Sequence, residues 1–156
     1  MKVRTGLAAA AFVAISSLAG PSLAADECAG KPSDNRLTVS VTGVRPAQGE
    51  VAITLYPDDA KRFLAPKGKL LRQRVPAKSP TTSTCFYLPA AGVYAIAVYH
   101  DVNADHDFNR SLVGMPTEGY GFSNDAPTKI SLPAFSTVRF RVPAGTSRTT
   151  LRMRYP

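Results

Sequence analysis

A polar stretch at residues 100–109, which reads His-Asp-Val-Asn-Ala-Asp-His-Asp-Phe-Asn, carries the side chains best suited to chemistry. It places oxygen-bearing side chains at alternate positions, as in the D-x-N-x-D pattern that opens a calcium-binding loop. Hard cations need several oxygen ligands at about 2.3 to 2.6 Å, and alternate side chains of a tight turn can supply them together. The spacing therefore predicts a cation-binding loop that takes Ca²⁺, with the candidate ligands Asp101, Asn103, Asp105, Asp107 and Glu118.

Two positions depart from the calcium-loop pattern. The sixth position, normally glycine, is His106, and the twelfth, normally a bidentate glutamate, is Leu112. Histidine enters the left-handed backbone region more readily than most residues, so the turn itself is compatible with the sequence. The alternative is a polar turn whose short side chains bond to their own backbone.

Catalytic signatures are weak. His100 and His106 are the two histidines of the chain, and their spacing does not match a zinc or copper site. The sequence contains no G-x-S-x-G nucleophile elbow. We therefore interpret the protein as a non-catalytic binding or interaction module. The alternative from a different class is a cell-envelope hydrolase that uses His100, Asp101 and Glu118 as acid and base groups.

The long segment at residues 101–126 lacks a regular pattern of apolar residues. Long irregular loops inside a compact domain tend to be functional or disordered. This one carries apolar side chains able to pack on a sheet, so we expect an ordered, functional loop at 101–124. Its candidate surface and packing residues are His100, Tyr120, Phe122 and Asn124.

The elements that must position this loop have the pattern of short strands. Apolar and polar residues alternate at 37–42 and 51–55, the period of a half-buried strand. Pro46 to Gly49 supplies turn residues between them, which predicts a hairpin. Residues 57–64 favour one short helix or turn. Further strands are predicted at 70–75, 82–88, 93–100, 137–142 and 149–154.

The tight connection at residues 88–94 predicts that the strands on either side of it are antiparallel neighbours. Short strands separated by turns rich in proline and glycine are typical of an all-β protein. We expect one antiparallel β-sandwich of about seven strands, with one short helix or turn and one long ordered loop.

The N-terminal segment and the two cysteines predict export. Residues 1–24 combine early basic residues, an apolar run and a small-x-small cleavage site, as a signal peptide does. The remaining residues 25–156 suit a single domain without a transmembrane segment. Cys28 and Cys85 both survive cleavage, and an even number of cysteines in an exported chain predicts a disulfide bond. We therefore predict a periplasmic or secreted bacterial protein.

The chain is basic, with a net charge of +8. Strict alternation on strands places Arg72 with Arg74, and likewise the pairs 139 with 141 and 152 with 154, on solvent-facing surfaces. A third hypothesis is thus a structural or adhesive module whose basic face binds an anionic envelope polymer. Export makes nucleic acid an unsuitable partner.

Two signatures resemble a known family. The first is Tyr99-His100-Asp101-x-Asn103-x-Asp105, and the second is Gly-Met-Pro-Thr-Glu-Gly-Tyr-Gly-Phe-Ser-Asn at residues 114–124. Over residues 37–154 the chain resembles a family of small secreted bacterial proteins with a domain of unknown function. That family is distantly similar to transthyretin-like and carboxypeptidase-regulatory modules, so the resemblance implies a β-sandwich of the prealbumin or immunoglobulin type and no particular activity.

Overall fold

The computed structural model describes residues 28–128 and 131–156. In these residues, eight strands form two sheets that pack face to face, which confirms the predicted all-β sandwich. The predicted signal segment at 1–24 lies outside the described residues. The strands are β1 (Asn35–Thr42), β2 (Glu50–Pro57), β3 (Leu71–Pro76), β4 (Thr81–Leu88), β5 (Gly92–Asp101), β6 (Tyr120–Phe122), β7 (Phe140–Val142) and β8 (Thr146–Arg152). A 3-10 turn (Ser123–Asp125) and one turn of α-helix, α1 (Phe135–Val138), lie between β6 and β7.

The smaller sheet has three strands in the order β4-β1-β8, and β1 runs antiparallel to β4 but parallel to β8. The larger sheet has the order β3-β2-β5-β6, and β7 also pairs with β5. All the pairs of the larger sheet are antiparallel. The core lies between the two sheets and is built mainly from alternating apolar residues of β1, β2 and β5. None of the helices in the described ranges is long and apolar enough to cross a membrane.

The connections between strands differ from two predictions. The predicted hairpin of β1 and β2 is wrong, because both edges of β1 are occupied by β4 and β8. The predicted pairing of β4 with β5 is also wrong, because β4 lies in the smaller sheet and β5 in the larger one. In both cases the connection crosses between the sheets, and Val44 of the first crossing is buried in the core. An alternating pattern of apolar residues locates a strand, but it does not specify which other strand pairs with it.

Two further segments differ from the expected elements. The strand predicted at 137–142 is shorter, because α1 occupies its first residues and buries Val138. The Thr137 hydroxyl donates to the Ala134 carbonyl at 2.7 Å and helps to close this helical turn. The loop at 101–126 contains β6, which was not predicted, since Gly121 weakens the strand pattern there. Bends and turns follow one another from residue 58 to residue 67, so the predicted helix or turn at 57–64 is a series of turns that continues past the predicted range.

The Cys28–Cys85 disulfide is confirmed, with the two Cα atoms 4.5 Å apart. It attaches the start of the described chain to β4, at the edge of the smaller sheet. The adjoining Ala29 continues this attachment, since its amide donates to the Cys85 carbonyl at 2.9 Å and its carbonyl accepts the Tyr87 amide at 2.8 Å.

The outer face of the larger sheet carries a second hydrophobic cluster. Its buried members come from β2, β5, β6, α1 and the turn after β6, namely Tyr56, Ala95, Phe122, Ala126 and Val138. Half-buried Phe63, in the turns after β2, and Phe135, the first residue of α1, pack on them. This cluster covers part of the face, and the loop that follows β5 covers another part.

Candidate functional site

Asp101, the last residue of β5, is fully buried at the start of the long loop. Its Oδ2 accepts hydrogen bonds from Arg74 Nη1 at 2.9 Å and from the His106 amide at 2.9 Å. Its Oδ1 accepts the Asp105 amide at 3.1 Å. The carboxylate therefore has a positive partner and two backbone donors, and it folds the loop back over the sheet.

Arg74 on β3 is the centre of this arrangement. Its Nη2 donates to the Tyr99 hydroxyl at 2.6 Å and to the His106 carbonyl at 2.9 Å. Only 18% of its side chain is exposed. The expectation that Arg74 faces solvent is therefore wrong, because the loop folds over this end of β3. Arg72, two residues earlier, is exposed as expected.

The other predicted cation ligands of the loop bond to one another. Asp105 Oδ2 accepts from the side-chain amides of Asn103 at 2.7 Å and Asn109 at 3.0 Å, and Oδ1 accepts the Asp107 amide at 2.9 Å. These hydrogen bonds, first that of the Asp107 amide, lower the pKa of Asp105. Asp107 itself is exposed. The contacts are those of a polar turn capped by its own side chains.

Glu118 lies buried at the far end of the loop. Its Oε2 accepts the Asn109 amide at 3.0 Å, and the carboxyl also accepts the backbone amide of Val102. Burial raises the pKa of Glu118, and the nearby carboxylates of Asp101 and Asp105 contribute in the same direction. A single side chain thus fastens both the first and the middle part of the loop.

Replacing Glu118 by glutamine is expected to remove a pH dependence of stability. Because folding raises the pKa of this carboxyl above its ordinary value of 4.5, its contribution is favourable below that pH and is lost as pH rises through the folded pKa. The glutamine oxygen can still accept the Asn109 amide. Urea unfolding from pH 4 to 7 should therefore show the variant gaining stability relative to the native protein as pH rises. Parallel curves would contradict a raised pKa.

Glu50, Asp101 and His106 form a separate group whose potential metal-ligating atoms lie within 4.8 Å of one another. His106 Nε2 is 3.3 Å from Glu50 Oε2, and Arg74 Nη1 is 4.0 Å from the same oxygen. The guanidinium of Arg74 therefore already supplies positive charge to both carboxylates. This group shares only Asp101 with the predicted calcium ligands, and calcium binding by the loop stays a prediction.

His100 lies on the opposite face of β5 from Asp101, because successive strand residues point to opposite sides of a sheet. Its ring is buried in the interior, with Nε2 at 2.7 Å from the Gln48 carbonyl and Nδ1 at 2.7 Å from the Tyr155 hydroxyl. A carbonyl only accepts, so Nε2 carries the hydrogen and Tyr155 donates to Nδ1. The structure does not bring His100, Asp101 and Glu118 into one cleft.

A cleft of about 540 Å³ lies on the outer face of the larger sheet, beside the second hydrophobic cluster. Its floor consists of outward-facing side chains of β2, β3, β5 and β6. A small hairpin at residues 109–117 covers one side, closed by the Thr117 amide on the Asn109 carbonyl at 3.1 Å. The principal lining residues are Thr54, Tyr56, Arg72, Ala97, Tyr99, Phe108, Arg110, Met115, Tyr120, Phe122 and Leu132.

Aromatic rings form a continuous row along this cleft. The ring centroid of Phe108 lies 5.5 Å from that of Tyr99 and 6.0 Å from that of Tyr120. The Tyr120 centroid is 6.2 Å from that of Phe122. The guanidinium carbon of Arg110 lies 5.0 Å from the Phe108 ring centroid, a cation–π contact. The polar loop thereby places Phe108 between two strand tyrosines.

Sequence reasoning named Tyr120 and Phe122 but missed most of the cleft. Tyr99 belongs to the strand predicted at 93–100, and Phe108 is one of several apolar residues in the long loop. The alternation of Arg72 with Arg74 correctly indicated that both side chains lie on the same face of β3. It did not indicate which residues each of them contacts. The cleft is formed by residues far apart in sequence, so no local pattern marks it.

The profile of a family described as an uncharacterized protein conserved in bacteria, DUF2141, matches residues 39–150. The chain belongs to this family. The match contains all the lining residues of the cleft and all the candidate residues of the polar loop. No curated protein and no solved structure matches the DUF2141 chain.

Proposed function

We propose that this DUF2141 protein is an exported, non-catalytic binding module of the bacterial cell envelope, and that its ligand site is the aromatic cleft. The cleft carries the proposal, because its volume of about 540 Å³ lies in the range of sites for small organic molecules. Its lining is mainly apolar and aromatic, with a few polar groups, which is the usual composition of such sites.

Exposed apolar side chains support the same location. Within the described ranges, four large hydrophobic residues are strongly exposed, and Leu112 and Val113 occupy the tip of the covering hairpin. Met115 and Leu132, exposed by 63% and 58%, line the cleft itself. A cluster of large, solvent-exposed apolar side chains is typical of an interaction site.

Export is supported by the signal-like sequence at residues 1–24 and by the Cys28–Cys85 disulfide, since such bonds persist in oxidising compartments. The polar loop has a positioning role in this proposal. Asp101 and Glu118 hold the backbone that carries Phe108 and the covering hairpin. The distant likeness to carboxypeptidase-regulatory modules stays a prediction, and it is consistent with a domain that binds without catalysing.

The neutral fluorescent probe N-phenyl-1-naphthylamine is expected to bind in the cleft with a rise in emission. Replacing Phe108 by alanine should weaken its affinity about tenfold, because one aromatic stacking partner is lost. Fluorescence titration of the purified protein measures both constants.

Two variants of the covering hairpin provide a matched control. Met115→Gln changes a residue that lines the cleft, whereas Leu112→Gln changes an exposed neighbour that does not. The first should weaken probe binding and the second should not. Equal effects of the two substitutions, or no binding by the native protein, would place the function elsewhere.

A further inference from the structure

Among the residues that the structure describes, the charged side chains that line the cleft are Arg72 and Arg110, and both are positive. Arg72 rises from β3 on the floor side, and Arg110 belongs to the covering hairpin. The remaining lining residues are apolar, aromatic, or uncharged and polar. The cleft therefore combines a basic edge with an apolar interior.

Arg72 is held in place by its neighbours on β2. Its Nε donates to the Thr54 hydroxyl at 2.8 Å, and its guanidinium also hydrogen-bonds the Tyr56 phenol. Thr54 and Tyr56 are both buried. A guanidinium has five N–H donors, so these two contacts orient the group and leave donors for a ligand.

Neither cleft arginine has a carboxylate within 4.0 Å in residues 28–128 and 131–156. Other arginines of the protein do have such partners. Arg74 lies 2.9 Å from Asp101, and Arg139 lies 2.9 Å from Asp58. The positive charge beside the aromatic row is thus not neutralised by the described part of the chain.

We infer that the ligand of the cleft is an amphipathic anion, with a flat or alkyl apolar body along Tyr99, Phe108 and Tyr120 and one acidic head group bound by Arg72. Arginine binds carboxylate, sulfonate and phosphate oxygens through paired N–H donors. Arg110, on the covering hairpin, adds a second positive charge to the lining. This inference rests on the proposed function and specifies the ligand class of the same site.

The test compares two probes that share an apolar body. The anionic probe 1-anilinonaphthalene-8-sulfonate carries one sulfonate, and N-phenyl-1-naphthylamine carries none. The native protein should bind the anionic probe at least tenfold more tightly, as expected for a charge-assisted contact. Added salt should weaken the anionic probe more than the neutral one, because screening acts on the charge.

Arg72→Gln should reduce the affinity for the anionic probe about tenfold and change the affinity for the neutral probe less than twofold. Arg148→Gln is the matched control, since Arg148 is an exposed arginine of β8 in the other sheet. Arg72→Lys keeps the charge without the paired donors and should give an intermediate loss. Circular dichroism spectra of all three variants establish that they fold.

Each outcome decides between the two proposals. Equal affinity for both probes, unchanged by Arg72→Gln, would overturn the anionic head group but leave the cleft as an apolar site. Equal losses in the variants of Arg72 and Arg148 would indicate a general attraction to the basic surface and would also overturn the inference. Binding of neither probe would overturn the proposed function as well.

Displacement of the bound anionic probe distinguishes the source of the head group. Decanoate represents a free acid and decyl phosphate represents a lipid-type phosphate, while decanol is the uncharged control with the same chain. Both anions should displace the probe at least tenfold better than decanol. The stronger of the two identifies the head group, whereas displacement by decanol at the same concentration would contradict an anionic ligand.

Discussion

Replacing Asp101 by alanine is expected to lower the free energy of unfolding by about 3 kcal/mol, the lower end of the cost of breaking a buried ion pair. The substitution leaves Arg74, whose side chain is only 18% exposed, without its closest carboxylate. It also removes the acceptor of the Asp105 and His106 amides. Denaturant unfolding followed by circular dichroism measures the loss.

Asp107→Ala is the control for this experiment. Asp107 lies in the same loop and carries the same charge, but it is exposed. Its replacement should change the free energy of unfolding by less than about 0.5 kcal/mol, as is usual for surface substitutions. If the two alanine variants were equally stable, Asp101 would not organise the loop as described.

Replacing both Cys28 and Cys85 by serine is expected to lower the free energy of unfolding by about 2 to 4 kcal/mol. The disulfide joins residues 57 positions apart and restricts the unfolded chain. Its loss should also release Ala29 from the edge of β4. Ala29 pairs with β4 through an isolated bridge, and the disulfide of the preceding residue holds it there. Guanidinium unfolding and hydrogen exchange of the Tyr87 amide report the two effects separately.

Reductant provides the internal control. Dithiothreitol should shift the unfolding midpoint of the native protein towards that of the double variant and leave the variant itself unchanged. A native midpoint that does not respond to reductant, with full alkylation of both cysteines after unfolding, would contradict a stabilising disulfide.

The sequence indicated most of the strands but not their arrangement. Leu37, Val39 and Val41 alternate strictly, and all three are buried in the core, so period two correctly located β1. The two connections interpreted as hairpins cross between sheets instead. Hairpin turns and connections between sheets both contain proline, glycine and small polar residues. Which of the two forms depends on the strand edges that are already paired. That information is not local to the turn.

The residues of the candidate site, like the strands, could be predicted from the sequence only in part. The two cysteines could be paired from their number and the predicted export alone. Arg72 and Arg74 have the same residue type on the same strand face, yet one meets Asp101 and the other borders the cleft. The difference arises because the loop after β5 folds over one end of β3, a contact between distant segments. The polar spacing at 101–105 predicted a cation-binding loop, with a polar turn as the alternative; the hydrogen bonds of a polar turn are present, and cation binding stays a prediction.

One face of the larger sheet packs on the core, and the second hydrophobic cluster around Phe122 covers part of the other face. The strand residues that form the cleft floor are therefore already ordered before any ligand arrives. The loss of conformational entropy on binding falls on the rim, chiefly on the exposed side chains of Met115 and Leu132. A prearranged floor lowers the cost of association, so differences between related ligands will be expressed mainly in how long each remains bound.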